Sequence, residues 1–352
     1  MLKTPRAILL LVPFALAAAG CTTLPDVKPF ADSTAALAVA AGTHYHDVET
    51  DVASLRLTQS AVETNEAFAL RKQALEADQQ TFKQTGERLD ALFDAMTMYS
   101  EKVASLAAAG KTGPEAAQSL LESAKGFGEL AGIAAPAAGG AVDAFTKAFK
   151  AIADEFTKMQ AKKSLKEAVA AAQPGVDMVA TQFEVIYGTA LPAASSSIRK
   201  TKESQASIAA GGSIIGFSDN VKRNYNAYYR SLNAFVTPID PHSTTLESAW
   251  RGFCTEPKGP CRAKNELEAV GLVEARMVAI RPIVDAYQSQ VVSLDATLAR
   301  RQNTSRAVIK AVKAWALEHR KLRQSLEDGT SLSAFNLKAA IVELEGLLGQ
   351  KP

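Results

Sequence analysis

The sequence predicts an all-α protein, an elongated bundle of long antiparallel, coiled-coil-like helices joined by shorter connecting helices. Apolar residues recur with heptad spacing over two long stretches of the chain, residues 68–106 and 270–326. Aromatic residues make up only 7% of a chain that is rich in alanine, and no alternating apolar pattern runs beyond four residues. Together these observations favour helices over strands throughout.

The first long helix is predicted from about residue 31 to residue 109. One apolar column repeats every seven positions, and a second column fills the neighbouring seam over the later half. The two columns are Phe68, Leu75, Phe82, Leu89, Met96 and Val103, and Leu92, Tyr99 and Leu106. The letters KTGPE at 111–115 predict the end of this helix and the start of the next, with Thr112 as N-cap and Pro114 in the first turn.

The second long helix carries the strongest periodic signal in the chain. Its two columns are Val270, Met277, Val284, Val291, Leu298, Val312 and Leu326, and Val273, Ile280, Tyr287, Leu294, Val308, Trp315 and Leu322. Three polar residues interrupt them, Arg301, Ser305 and His319. A pattern sustained for this long predicts one helix of about 85 Å with a buried seam. Pro282 lies off the seam and is expected to kink the helix.

Shorter helices are predicted between and after the two long ones. Glycine and proline clusters place breaks at 135–140, 173–175, 209–213 and 237–243, and Pro192 predicts a further kink. A turn at 327–331 leads into a last helix over 332–348. No fixed-period repeat and no low-complexity tract divides the chain, so residues 31–349 are expected to form a single helical-bundle domain.

The first twenty residues have the features of a signal peptide. Lys3 and Arg6 precede an uncharged apolar run over 7–19, which contains a proline and is too short to cross a bilayer. The small residues before Cys21 and that cysteine itself resemble the lipobox of bacterial lipoproteins. Cleavage by an ordinary signal peptidase is the alternative, because the small residues would also satisfy that enzyme.

The resemblance to lipoproteins implies an address. In that class the chain is cut before the cysteine, so residues 1–20 would be the signal peptide and Cys21 would carry the lipid. Thr22 stands where an aspartate would retain the protein at the inner membrane, so the implied location is the outer membrane, facing the periplasm. Residues 21–30, which contain Pro25 and Pro29, are expected to form a short tether.

The remaining cysteines are Cys254 and Cys261, with six residues between them. In the oxidising compartment implied by the leader, they are expected to form a local disulfide. A metal site would need further ligands, and the histidines are not at zinc-site spacing. The spacer contains two prolines and a glycine, which fits a fixed turn better than a C-x-x-C redox motif.

Charge argues against nucleic acid as a partner. The whole chain has 39 basic and 37 acidic side chains. Removing residues 1–20 takes away Lys3 and Arg6 and no acid, which leaves 37 of each sign and a net charge of zero with histidine neutral. A neutral chain without a basic cluster lacks the electrostatic footprint of nucleic-acid binding.

A cluster of possible metal ligands occurs in GTHYHDVET at 42–50. His44 and His46 are two positions apart, however, and such residues do not face each other on a helix. A helix that starts near Gly42 and Thr43, with acidic residues in its first turns, is the simpler interpretation. The sequence therefore predicts no metal site and no cofactor.

The segment 126–159 is the candidate interaction or membrane face. It is poor in charge at its start and continues into an amphipathic helix surrounded by lysines. Its large apolar residues are Phe127, Leu130, Phe145, Phe149 and Phe156. On an insertion scale the apolar residues at the start of the segment are worth about 2 kcal/mol, which one buried glutamate would cancel. Packing inside the bundle is therefore favoured over insertion into lipid.

The function that the sequence favours is a non-enzymatic one. None of the common motifs for nucleophilic, metal-dependent or phosphate chemistry is present. We expect a lipid-anchored scaffold or adaptor that binds a cell-envelope protein. A membrane-perturbing protein that uses the 126–159 segment is the alternative, and self-association into a homo-oligomer stays open.

Overall fold

The protein is all-α. The computed structural model describes residues 25–57, 59, 63–129, 150–152, 164–219, 266–328, 330, 332 and 334–349, and it contains no strand among them. The helices are α1 (Lys28–Ser54), α2 (Asn65–Ala108), α3 (Pro114–Ser123), α4 (Lys125–Glu129), α5 (Leu165–Val185), α6 (Leu191–Ala209), α7 (212–219), α8 (Glu266–Asp328) and α9 (Phe335–Gly349). The predicted all-α class is therefore confirmed.

The helix predicted over 31–109 is in fact two helices, α1 and α2, packed against each other in opposite directions. The Tyr45 hydroxyl donates to the carbonyl of Phe82 at 2.9 Å, and Gln79 Nε2 donates to the carbonyl of Val52 at 2.9 Å. The new helix begins after Thr64, whose hydroxyl accepts a hydrogen bond from the backbone N–H of Ala67. This N-cap and the burial gained by the antiparallel pair outweigh the continuous helical pattern of the sequence.

Helices α5 and α6 run antiparallel to α8. The side chain of Gln173 in α5 meets His319 near the end of α8, and Arg199 in α6 meets Asp295 farther towards its start. Between α5 and α6 the chain makes one π-helical turn, Ile186–Ala190, directly before Pro192. The irregularity that Pro192 predicts is therefore present at that position.

The core confirms the seam of the second long helix over its later half. Val308, Val312, Trp315 and Leu322 are fully buried, and Trp315 Nε1 donates to the hydroxyl of Thr34 in α1 at 3.0 Å. Leu294 is only half-buried, although the heptad pattern predicts it to be in the core. It lies in the part of α8 that extends beyond the end of α1, where fewer helices cover the seam.

The predicted break at 173–175 is absent, since Pro174 lies inside α5. Gln173, Gly175 and Val176 beside it are buried against neighbouring helices, so tertiary packing overrides the local preference for a turn. The predicted break at 209–213 is confirmed, because α6 ends at Ala209 and Gly211 has a φ of +77°, a conformation that favours glycine.

The tether predicted over 21–30 is wrong for its later part. Pro25 is buried, Val27 is 2% exposed, and α1 already begins at Lys28. Phe30 is fully buried and its ring stacks on Trp315 with centroids 6.3 Å apart. The sequence around Pro29 suits the first turn of a helix, where proline costs no hydrogen bond.

Two smaller expectations also need correction. The N-cap of α3 is Gly113 and not Thr112, although Pro114 is in the first turn as predicted. The last helix begins at Phe335, three residues later than predicted, after Ala334 with a φ of +45°. The predicted breaks at 135–140 and 237–243 lie outside the described residues. Within the part of the chain that is described, no helix is both long and apolar enough to span a bilayer.

Candidate functional site

A short helical arm projects beyond the end of α1. Gln79 Nε2 also contacts the carbonyl of Leu55, at 3.2 Å, so the residues of α2 that precede Gln79 continue past the last turn of α1. We call residues 65–78 the short arm. None of them is buried, and Leu70 is 62% exposed. An ion pair between Arg71 and Glu63 at 2.9 Å joins it to the residues that precede α2.

A second, longer arm extends in the same direction. It consists of the last turns of α6, helix α7 and residues 266–297 of α8, and we call it the long arm. Its own small core is separate from the main one and comprises Ile215, Ile280, Val284 and Tyr287. Because α2 and α8 both run antiparallel to α1, both arms leave the same end of the bundle.

The long arm presents apolar side chains on its outer face. Val278 and Val292 of α8 are 68% and 66% exposed, and Ile283 and Ile208 are also exposed. Val278 and Val292 lie away from the seam of α8 that packs on α6 and α7, whereas Val284 between them is buried. Single exposed apolar residues are ordinary on a protein surface, so the relevant feature is their position on a projecting helix.

The 126–159 segment loses one of its candidate contact residues. Phe127 is fully buried, and its ring packs edge-on against Tyr99 at 6.3 Å between centroids. Phe127 is therefore part of the core, which corrects its assignment to an interaction or membrane face. The other candidates of that segment, Leu130, Phe145, Phe149 and Phe156, lie outside the described residues, as do Cys21, Cys254 and Cys261.

The two histidines near the middle of α1 point to different surroundings. His44 is buried and its Nε2 lies 2.8 Å from the hydroxyl of Ser305 in α8. His46 is on the surface between Glu49 at 2.8 Å and Asp90 at 3.0 Å. No group of three or more potential metal ligands occurs in the described part of the chain. The helix start predicted near Gly42 is wrong, because α1 begins at Lys28.

Their surroundings shift the pKa values of the two histidines in opposite directions. Burial, aided by the charge of Arg301, lowers the pKa of His44 to about 4. For His46, partial burial acts to lower the pKa, but the hydrogen bonds to Asp90 and Glu49 outweigh it, and the pKa is raised. At neutral pH His44 is therefore an uncharged partner of Ser305.

The pair of Ser305 and His44 lies beneath an open groove of about 320 Å³ between α1, α6 and α8. A serine bonded to a histidine is the geometry of an activated nucleophile. Here the lowered pKa of His44 weakens it as a base. The backbone N–H of Ser305 lies within a continuous helix, where N–H groups bond to the preceding turn and so do not point at an oxyanion. The arrangement supports a structural contact between α1 and α8.

Opposite charges meet at the rim of this groove. Asp51 at the end of α1 forms ion pairs with Arg301 of α8 and with Lys202 of α6. Arg199 forms a two-pronged contact with Asp295, with Nε to Oδ1 at 2.7 Å. These pairs join α1, α6 and α8 at the level where the long arm leaves the bundle.

A chain of hydrogen bonds crosses the main core at His319. The Tyr99 hydroxyl lies 2.8 Å from His319 Nε2, and His319 Nδ1 lies 2.8 Å from Gln173 Oε1. Because the amide oxygen can only accept, Nδ1 carries the proton and Nε2 accepts from the tyrosine. Gln173 Nε2 then donates to Asp177, which also accepts from Arg320 at the surface. Burial lowers the pKa of His319 to about 3 and keeps the ring neutral.

In the sequence, His319 is recognisable only as a polar interruption of the heptad seam. Its partners lie 146 and 220 residues away in the chain, so no local pattern connects them. The signal that was available is the polar residue itself, since a buried polar side chain at a seam position requires a partner.

Comparison of the chain with protein-family models, with curated proteins and with solved structures gave no match in any of the three.

Proposed function

We propose that this chain is a lipid-anchored lipoprotein that faces the periplasm from the outer membrane and serves as a non-enzymatic helical scaffold for a cell-envelope protein. The leader and Cys21 support the anchor. The observation that supports a scaffold role is the pair of arms, in which helices extend well beyond the main core. Such arms expose side chains for contact without contributing much to the stability of the bundle.

The polar interior agrees with this proposal. His319 bonds to both Tyr99 and Gln173, and His44 bonds to Ser305. Neutral, mutually bonded groups of this kind fix the register of helices that would otherwise slide along an apolar seam. The bonds of His319 connect α2, α5 and α8, and the bond of His44 connects α1 and α8. They therefore favour a rigid bundle from which the arms extend.

Site-specific photo-crosslinking in cells tests the scaffold. A photoreactive amino acid at Val278 or Leu70 samples the arms, and the same group at Val39 or Val342 samples exposed apolar positions on the bundle. We expect one defined protein to be crosslinked from the arms and not from the bundle positions. Adding Val292→Asp should abolish that product if the long arm is the contact.

The outcome that contradicts the proposal is also specific. Equal products from arm and bundle positions, or products from the bundle alone, would show that the arms are not the contact surface. A product crosslinked from Leu70 that survives Val292→Asp and Val278→Asp together would exclude the outer face of the long arm, because both substitutions place a charge on that face without touching the buried seam.

A further inference from the structure

We infer that the end of the bundle from which α1 starts lies against the lipid surface, and that the tip of the long arm is the part of the described chain farthest from it. We call this end the base. The inference rests on the lipid anchor at Cys21 proposed above and adds an order of heights along the protein. The surface that faces lipid is then a set of helix ends and not a helix face.

The chain between the anchor and the bundle is short. Pro25 and Val27 are already buried in the bundle and α1 begins at Lys28. From Cys21 to Pro25 there are four Cα–Cα steps, which span about 14 Å at most when fully extended. The lipid on Cys21 can therefore not leave the neighbourhood of the base.

Several helix ends share the base with the start of α1. Phe30 stacks on Trp315 and lies 6.1 Å from the His319 ring. Helix α8 continues nine residues beyond His319 to Asp328, which is about 14 Å past the start of α1 at this same end of the bundle. The end of α2 and the start of α5 meet at this end of the bundle, because Leu165 N donates at 3.0 Å to the carbonyl of Thr112, which follows α2. The base is thus formed by the ends of α2 and α8 and the start of α5, and the start of α1 is set back from them.

The arms lie at the other end of these helices. Helix α8 contains 63 residues, which corresponds to about 95 Å of helix. Counted back from Asp328 at the base, Asn303 is about 38 Å along the helix and Val278 about 75 Å. A partner bound to the long arm would accordingly be held tens of ångströms from the bilayer.

A rod on a short tether keeps this order even if it pivots freely, because its anchored end is always the nearest to the membrane. Only adhesion of one whole side would cancel the order. The mature chain has equal numbers of acidic and basic side chains, and the ion pairs of Asp51, Arg199 and Asp295 neutralise charges along the flank. The mature chain as a whole therefore offers anionic lipid no net charge.

Fluorescence resonance energy transfer from a dye on the protein to a dye on the lipid measures the height of each labelled residue above the bilayer. The full chain is produced in a bacterium that processes lipoproteins and is reconstituted into phospholipid vesicles with acceptor dye on the headgroups. A donor dye is attached to a noncanonical amino acid at Lys111 in the base, at Asn303 or at Val278, which are all exposed. We expect transfer to fall in the order Lys111, Asn303, Val278.

Two controls separate the possible failures. Flotation with vesicles and palmitate labelling, compared with Cys21→Ser, test the anchor alone, and their failure would overturn both the proposed function and this inference. Normal anchoring with equal transfer from the three sites, or with the reverse order, would overturn the inference only. Repeating the measurement at high salt distinguishes charge adhesion, and we expect the order to be independent of salt.

Discussion

Lowering the pH from 7 to 5 should destabilise the bundle, and half of the effect should depend on His319. Both His319 and His44 are buried and neutral, with pKa values lowered to about 3 and about 4, mainly by burial. In the unfolded chain a histidine has a pKa near 6.5. The unfolded state therefore binds more protons than the folded state between pH 6.5 and pH 4, and stability must fall as the pH falls through this range.

The magnitude follows from the same pKa values. At pH 5 an unfolded histidine is about 1.5 pH units below its pKa, while the buried rings are still almost unprotonated. Each of the two histidines then lowers the free energy of unfolding by about 2 kcal/mol relative to pH 7, and together by about 4 kcal/mol. For a bundle with an ordinary stability of about 5–15 kcal/mol this is a large fraction.

Urea denaturation followed by far-UV circular dichroism at pH 7 and pH 5 measures this loss. In His319→Gln the loss between the two pH values should shrink to about 2 kcal/mol, because one titrating ring is gone. The variant is also expected to be less stable at pH 7, since Tyr99 loses its acceptor, so the difference between pH values is the readout. A loss equal to that of the wild type would refute the reasoning.

His46 serves as a control with the opposite sign. Its pKa is raised by the hydrogen bonds to Asp90 and Glu49, against the effect of partial burial. Its contribution to stability is present below pH 6.5 and is lost as the pH rises through the folded pKa. His46→Gln should therefore leave the loss between pH 7 and pH 5 unchanged or increase it. A smaller loss in this variant would contradict the assigned surroundings.

The other predictions are tested separately. Labelled palmitate should enter the wild type and not Cys21→Ser, and equal labelling would remove the lipoprotein assignment. Mass spectrometry after alkylation without reductant should find Cys254 and Cys261 unmodified, because they are joined; two alkylated thiols would exclude the disulfide. Val312→Asp should cost about 3–5 kcal/mol and Val292→Asp on the same helix less than about 0.5, because only Val312 is buried. Similar melting temperatures for the two variants would contradict the assigned faces. The lipid-free protein should leave dye-loaded vesicles intact, whereas leakage would favour the membrane-perturbing alternative.

Residue patterns that repeat locally predict that the chain is helical and which face of α8 is buried over its later half. The buried side chains of Val308, Val312 and Trp315 follow directly from the heptad columns, because a seam that repeats every seven residues can only be satisfied by a packed helix face. The same pattern could not show where α8 leaves the bundle. Leu294 keeps the spacing of the seam but is half-exposed, since burial depends on how far the neighbouring helices reach.

Breaks were predicted less well than helices, for a physical reason. Pro174 suggests a turn, yet packing on both sides keeps α5 helical across it. The actual break after Ser54 contains no glycine or proline and depends on the pairing of α1 with α2. The tether was misjudged in the same way, because the burial of Val27 depends on partners that are distant in the sequence.

The candidate site was the least predictable feature. The arms can be recognised only from the positions of the ends of α1, α2 and α8 in the structure. In the sequence, the exposed Val278 and Val292 cannot be distinguished from buried apolar residues of a helix. The bonds of His319 and His44 join residues more than a hundred positions apart. Both features arise from the relative register of helices, which composition and periodicity do not encode.

Complementation of a deletion of the gene, with paired variants, tests the central claim most directly. Val278→Asp combined with Val292→Asp alters only the exposed face of the long arm, whereas Ser305→Ala removes the one hydroxyl that bonds to His44 beneath the groove. With circular dichroism confirming that both variants fold, a scaffold predicts that the arm variant fails to complement and that Ser305→Ala complements. A functional arm variant together with an inactive Ser305→Ala would contradict the scaffold and would point to chemistry in the groove.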